Sequence, residues 1–196
     1  MEPLAGPDDP LGGLAKEEIR DLVGKGWLTH DAMWFAAAAG RLGVEEANRL
    51  NLAAIRGMTP FEVERLCAAL GDRPGPGADA PGVRRFLVRG LQTLLPESVT
   101  APIDVTAPDP FTLRLAWPPG RCFAYRGMQR IGAADHYDCG VIARIQCWLD
   151  VLGIPHRADP PTGRCRGSDE EPCVTDIRLT GVAAPPPVCP TPTLPA

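Results

Sequence analysis

Five of the seven cysteines, Cys122, Cys139, Cys147, Cys165 and Cys173, fall in one stretch of the second half of the chain. No two are spaced Cys-x-x-Cys, so no single knuckle carries the chemistry. Cys122, Cys139, Cys165 and Cys173 lie 17, 26 and 8 residues apart in order, at what read as element ends and turns. Any fold that uses them together must bring several elements to one point. Zinc or an iron centre accepts thiolates from such distant positions once the fold has converged them. On spacing alone, four unrelated thiols is an equal alternative. Cys147 sits inside an apolar helical pattern and reads as core, as does Cys67, because an unmodified cysteine packs like a small hydrophobe.

The compartment bears on that choice. Met1-Glu2-Pro3-Leu4 has neither the basic start nor the apolar core of a signal peptide, and no apolar run approaches the roughly 20 residues that cross a bilayer. A cytoplasmic protein is the expectation, and a reducing compartment disfavours structural disulfides. Core thiols or metal ligands remain. The formal charge of -4, from 20 basic and 24 acidic residues, comes with dispersed basic side chains, so the footprint of a nucleic-acid binder is missing. The expected partners are a small-molecule ligand and at most a second copy in a homodimer, with no nucleic acid and no membrane.

The pattern along the chain predicts an α+β fold: a helical N-terminal subdomain packed on a small α/β domain with an antiparallel sheet and a Cys-rich metal site. Residues 1–13, rich in Pro, Gly and Asp, read as a mobile leader. Residues 14–98 read as the helical subdomain. Within it, Leu14–Val23 is expected as a short helix stopped by Gly24 or Gly26, and Thr29 as the N-cap of the next. A helix from Val44 to Met58 is expected to restart at Thr59-Pro60-Phe61-Glu62, a capping-box pair around a first-turn proline. Residues 72–82 cannot continue a helix and read as a linker loop, and Val83–Leu95 resumes one, with Arg84, Arg85 and Arg89 outward.

Residues 99–180 form the expected second domain. Phe111–Trp117 alternates like a strand, with Phe111, Leu113, Leu115 and Trp117 on one side. Cys122–Ile131 reads as a short helix and Val141–Leu152 as a longer one that Gly153 ends. Strands are expected around Pro155–Arg157 with Cys165, and over Cys173–Leu179. Cys165 to Cys173 reads as a polar hairpin loop with a thiol at each end, and Cys139, at a helix start, as a thiol of lowered pKa. Residues 181–196, which include Cys189, read as a Pro-rich disordered tail.

The span Cys139–Ile177, with a cysteine before a helix, Gly153-Ile154-Pro155 after it and a short run into Cys165 and Cys173, resembles the C-terminal part of the 4-vinyl reductase domain. The resemblance implies a small organic ligand in an α/β pocket beside a zinc held by three cysteines and a glutamate. Cys139, Cys165 and Cys173 match the cysteines. The glutamate position falls at Thr162, which cannot replace it, and Cys122 is the substitute fourth ligand. In the other half, Trp27-Leu28-Thr29-His30-Asp31-x-x-Trp34-Phe35, with Leu42-Gly43 and Glu46-Ala47-Asn48, resembles a family of uncharacterised prokaryotic proteins. The thiazoline-carboxylate hydrolases share the layout of helices followed by an α/β part.

Candidate acid–base residues are His30 and Asp31, beside two tryptophans, and His136 and Asp138, just before Cys139. Each pair also reads as ordinary polar surface, and His156 is a weaker candidate. No Gly-rich phosphate loop and no nucleophile elbow is present. The resulting expectation is a small zinc-containing protein, with iron as the alternative metal, that binds a small, partly apolar molecule. It would be a stand-alone pathway enzyme of hydrolase or lyase type, or else a non-catalytic binding, carrier or sensor module.

Overall fold

The computed structural model describes residues 13–181; most of the expected leader and tail, with Cys189, lies outside them. Two long helices open the chain, α1 (Lys16–Leu42) and α2 (Val44–Leu70), joined by Gly43 alone. Gly43 takes φ 85°, a conformation that costs glycine least. Its N–H closes α1 on the Ala39 carbonyl while its carbonyl accepts the Ala47 N–H that opens α2. The pair folds back as a helical hairpin.

The expected breaks inside these helices do not occur. Gly24 is buried in α1, and a Cβ there would meet the Pro96 ring at 2.8 Å; its lack of a side chain serves packing rather than a stop. Thr29 is no N-cap, since its hydroxyl donates to the Lys25 carbonyl one turn back at 2.8 Å. Nor does Thr59-Pro60 restart a helix: α2 runs through Pro60, and the Thr59 hydroxyl donates to the Ile55 carbonyl at 2.6 Å. Glu62, read as the other half of a cap, turns inward to a different partner, described below.

After a loop, α3 (Ala80–Leu94) starts with Asp79 accepting the Gly82 N–H. Its buried face, Val83, Phe86, Leu87 and Leu91, is the centre of the core. A single turn, α4 (Glu97–Thr100), leads to the sheet: β1 (Asp104–Asp109), β2 (Thr112–Trp117), β3 (His156–Asp159) and β4 (Cys173–Leu179), in the antiparallel order β1-β2-β4-β3. Between β2 and β3 come α5 (Phe123–Arg130), a turn of 3₁₀ helix at Ala134–His136, and α6 (Gly140–Val151). The α+β class and the antiparallel sheet are as expected.

Three strand expectations need correcting. β1 was not foreseen as a strand; only its edge position and pairing with β2 make it one. Phe111 is 67 % exposed at the β1–β2 turn, so only Leu113, Leu115 and Trp117 form the buried side of β2. Cys165 belongs to no strand but to the connection between β3 and β4. One cluster of buried residues joins Val63 and Leu66 of α2, Phe86 of α3, Leu113 and Leu115 of β2, Trp148 of α6 and Ile177 of β4. The two halves read from the sequence therefore share one core. Among the described residues no helix is long and apolar enough to cross a membrane.

Candidate metal centre

Each of the four candidate thiols is placed by a different local device. Cys122 is the N-cap residue of α5, just after the Gly120 turn, whose N–H donates to the Ser168 carbonyl at 2.7 Å. Cys139 is the N-cap residue of α6, and its N–H donates to the Gly163 carbonyl at 2.8 Å. Two residues on from Gly163, the Cys165 N–H donates to the Tyr137 carbonyl at 2.7 Å. This short bridge straps the β3–β4 connection across the entry to α6 and sets Cys165 beside Cys139. Cys173 opens β4 opposite Trp117, five residues before Cys122. Backbone pairing thus brings the four segments that carry these thiols near one another.

Their electrostatics reflect the gathering. Burial raises all four thiols, and Cys139 is pushed up to about 12. Cys165, Cys122 and Cys173 each raise Cys139 further, Cys165 and Cys173 raise Cys122, and Cys165 raises Cys173. The expectation of a lowered Cys139 thiol is therefore overturned: a helix start favours the thiolate, but desolvation and three neighbouring thiols outweigh it. Opposing influences are built in. N–H groups of Tyr125 and Ala124 favour the Cys122 thiolate, that of Ile142 the Cys139 thiolate, and that of Gly167, 3.4 Å from the sulfur, the Cys165 thiolate. None closes a formal side-chain cap at α5 or α6. The Arg166 charge lowers both Cys165 and Cys173. Among the described residues no three or more His, Cys, Asp or Glu side chains stand at metal-holding geometry.

Partly buried thiols held in their neutral form are what a bound cation would relieve, because a metal converts thiols to thiolates. Four sulfur donors are a set that zinc accepts, although these four thiols do not stand at metal-holding geometry. The Thr162 hydroxyl donates to the Gln146 side chain at 2.5 Å. Cys147 is buried in α6 and is 4 % exposed, as the core reading expects.

Two cavities flank this centre. The first, of about 110 Å³, lies between the helical hairpin and the sheet, with Trp27 and Leu28 of α1, Ile55 and Met58 of α2, and Leu115 and Trp117 of β2 among its walls. Its polar groups are Asp31, Asn51, Tyr137 and Arg144. Arg144 is already committed to Glu62 of α2, whose carboxylate accepts from Arg144 Nε and Nη2 and, at 2.7 Å, from the Trp148 Nε1–H. Trp117 has no such partner. It is 2 % exposed, and its Nε1 is the one buried side-chain polar atom without a hydrogen bond among the described residues.

The second cavity, of about 390 Å³, lies between α2, α6 and the start of β3, with Cys139 and Asp138 at its edge. The acid–base candidates divide between the two. Asp31 reaches the apolar cavity; the residue is exposed overall, yet partial burial of its carboxyl raises it, opposed by Arg144 and His30. Asp138 reaches the polar cavity, paired with Arg164 at 3.3 Å. His30 and His136 are exposed and line neither cavity; the His136 backbone carbonyl, not its ring, holds structure by accepting from Asn48 and Arg164. The polar cavity is also lined by His156, a weaker candidate in the sequence, and by Asp150, which the sequence did not single out; their side chains are 5 % and 10 % exposed. The signal was there in the spacing, since Gln146 and Asp150 share the helix face that looks toward β3.

Comparison with known proteins adds one match. A model of a family of unknown function (DUF6125) matches residues 13–98, the helical hairpin and α3, where the sequence resembles uncharacterised prokaryotic proteins. No curated protein and no solved structure matches the chain.

Proposed function

We propose that this protein binds a small, partly apolar organic molecule in the cavity between the helical hairpin and the sheet, beside a structural zinc. Trp117 carries the reading. A buried N–H without an acceptor costs free energy, and Trp117 is one of the residues lining a cavity whose other walls are mostly apolar, the usual make-up of a ligand site. An oxygen on an apolar molecule supplies the missing acceptor. The zinc would be held by Cys122, Cys139, Cys165 and Cys173; a closed four-thiolate set is structural and would fix α5 and α6 where they wall the cavity. The resemblance of Cys139–Ile177 to the 4-vinyl reductase domain, which implies the same pairing of ligand pocket and zinc, supports this.

Metal analysis of the purified protein tests the first half: a single zinc per chain is expected, lost in Cys165→Ser and Cys173→Ser, whereas a folded metal-free protein refutes it and a visible iron chromophore replaces zinc by iron. The indole N–H resonance of Trp117 tests the second half. It is expected to shift on adding one-ring organic compounds that carry an oxygen acceptor; a resonance indifferent to all of them removes the ligand site. The raised carboxyl of Asp31 at the cavity rim favours a second reading, a hydrolase or lyase with Asp31 as acid–base. Turnover lost in Asp31→Asn with ligand binding retained supports it, and binding without turnover in the parent protein leaves a carrier or sensor.

A further inference from the structure

The polar cavity holds a charge arrangement that nothing else in the fold uses. Asp150 is nine-tenths buried, and its ion contact is His156 Nδ1 at 3.9 Å, too long for a hydrogen bond. That nitrogen is already engaged by the Ile154 carbonyl at 2.9 Å. It therefore donates there rather than to Asp150. Among the described residues the Asp150 carboxylate accepts no hydrogen bond, although a largely buried carboxylate ordinarily collects several. The neighbouring polar groups do not answer it. Gln146 and Thr162 bond each other, and Asp138 pairs with Arg164.

Arg56 enters the same cavity from α2, and among the described residues no carboxylate pairs with it. The cavity therefore presents a positive charge from one wall and the Asp150 carboxylate from another. A simple anion would meet Asp150, and a simple cation would meet Arg56. A molecule bearing both charges satisfies both walls. Its about 390 Å³ falls within the roughly 300–1,000 Å³ typical of small-molecule sites.

We propose that this cavity is a second binding site, for a small zwitterion of the amino-acid class, whose ammonium goes to the Asp150 carboxylate and whose carboxylate goes to Arg56. The site shares no ligand-binding side chain with the apolar cavity and stands independently of it.

The test is an NMR titration of the folded full-length chain with the proteinogenic amino acids, and with acetate and methylammonium as the two half-ligands, read at the His156 ring and the Asp150 amide. At least one amino acid is expected to bind about tenfold or more tighter than either half-ligand, the worth of one added charge-assisted contact. Asp150→Asn is expected to abolish the preference for the amine, and Arg56→Gln the preference for the carboxylate. Asp150→Asn keeps the size of the side chain and removes a largely buried charge, and Arg56→Gln shortens a half-buried one; chemical-shift dispersion checks that both variants fold. The proposal is overturned if no amino acid binds at millimolar concentration, if acetate or methylammonium alone binds as tightly, or if magnesium or zinc occupies Asp150 in preference.

Discussion

Glu62 shows how far one side chain's environment escapes a sequence reading. In sequence it is the end of a capping box; in the fold its carboxylate is 9 % exposed and serves Arg144 and Trp148 of α6 together. Removing one partner of such a buried set strands the others, which costs about 3–5 kcal/mol. Glu62→Ala is expected to lower the unfolding free energy by that amount in urea denaturation, while Glu62→Gln, which still accepts from Trp148, loses less. Asp150 points the other way. Burial raises its carboxyl above the ordinary value of 3.8, opposed by His156. An acid raised in the folded state is held there at a cost when ionised; the cost is present above the folded value and vanishes below the unfolded one. Asp150→Asn is therefore expected to stabilise the ligand-free protein at neutral pH, with the gain fading to nothing as the pH falls below about 4. Paired melts at both pH values check it; a gain that grows in acid contradicts the assignment. The Cys139 thiol illustrates the same blindness. Its helix-start position was legible, but the burial and the three other thiols that raise it are properties of the assembled fold.

At the scale of elements, punctuation that reads as a break turned out to be an accommodation. Glycine and proline weaken a helix locally by about 1 and 3 kcal/mol, yet α1 passes through Gly24 and α2 through Pro60 because tertiary packing repays the loss. Gly24 lets Pro96 approach, and Thr59 donates back into the turn that Pro60 weakens. Where the pattern was strong and bounded by its own residues, as in β4, β2 and the helices after Cys122 and Cys139, the elements appear where the sequence puts them. β1 escaped because it lacks that pattern and is held by its partner. Gly90 of α3 carries the next prediction. A Cβ there would stand 2.8 Å from the Trp148 ring and 3.2 Å from Leu66, and Trp148 cannot retreat, being fully buried and tied to Glu62. Gly90→Ala, usually favourable in a helix, is expected instead to cost about 1–3 kcal/mol by overpacking, visible as a lowered denaturation midpoint. An unchanged or raised midpoint would show that α3 and α6 can slide apart.

For the whole molecule, the family match and the core divide the chain differently. The matched segment, residues 13–98, ends before the sheet begins, and the sequence suggests a helical subdomain with the same limit. The core does not respect it. The inward face of α3 packs on β2 and α6, Glu62 of α2 finds its cation on α6, and Ala80 at the start of α3 donates its N–H to the Pro110 carbonyl in the β1–β2 turn at 2.8 Å. Cut free, residues 13–98 would expose Val83, Phe86 and Leu87, each fully buried in the intact fold, and would keep Glu62 without Arg144. Isolated helices depend on such packing, because their own propensity leaves them marginal. The fragment 13–98 is therefore expected to show helical circular dichroism but no cooperative thermal transition, whereas the full chain melts in one step. A fragment that melts cooperatively would mean that the hairpin and α3 form a core of their own. The apolar cavity, walled by α1 and α2 on one side and by Leu115 and Trp117 of the sheet on the other, would then be a cleft between two bodies rather than part of one.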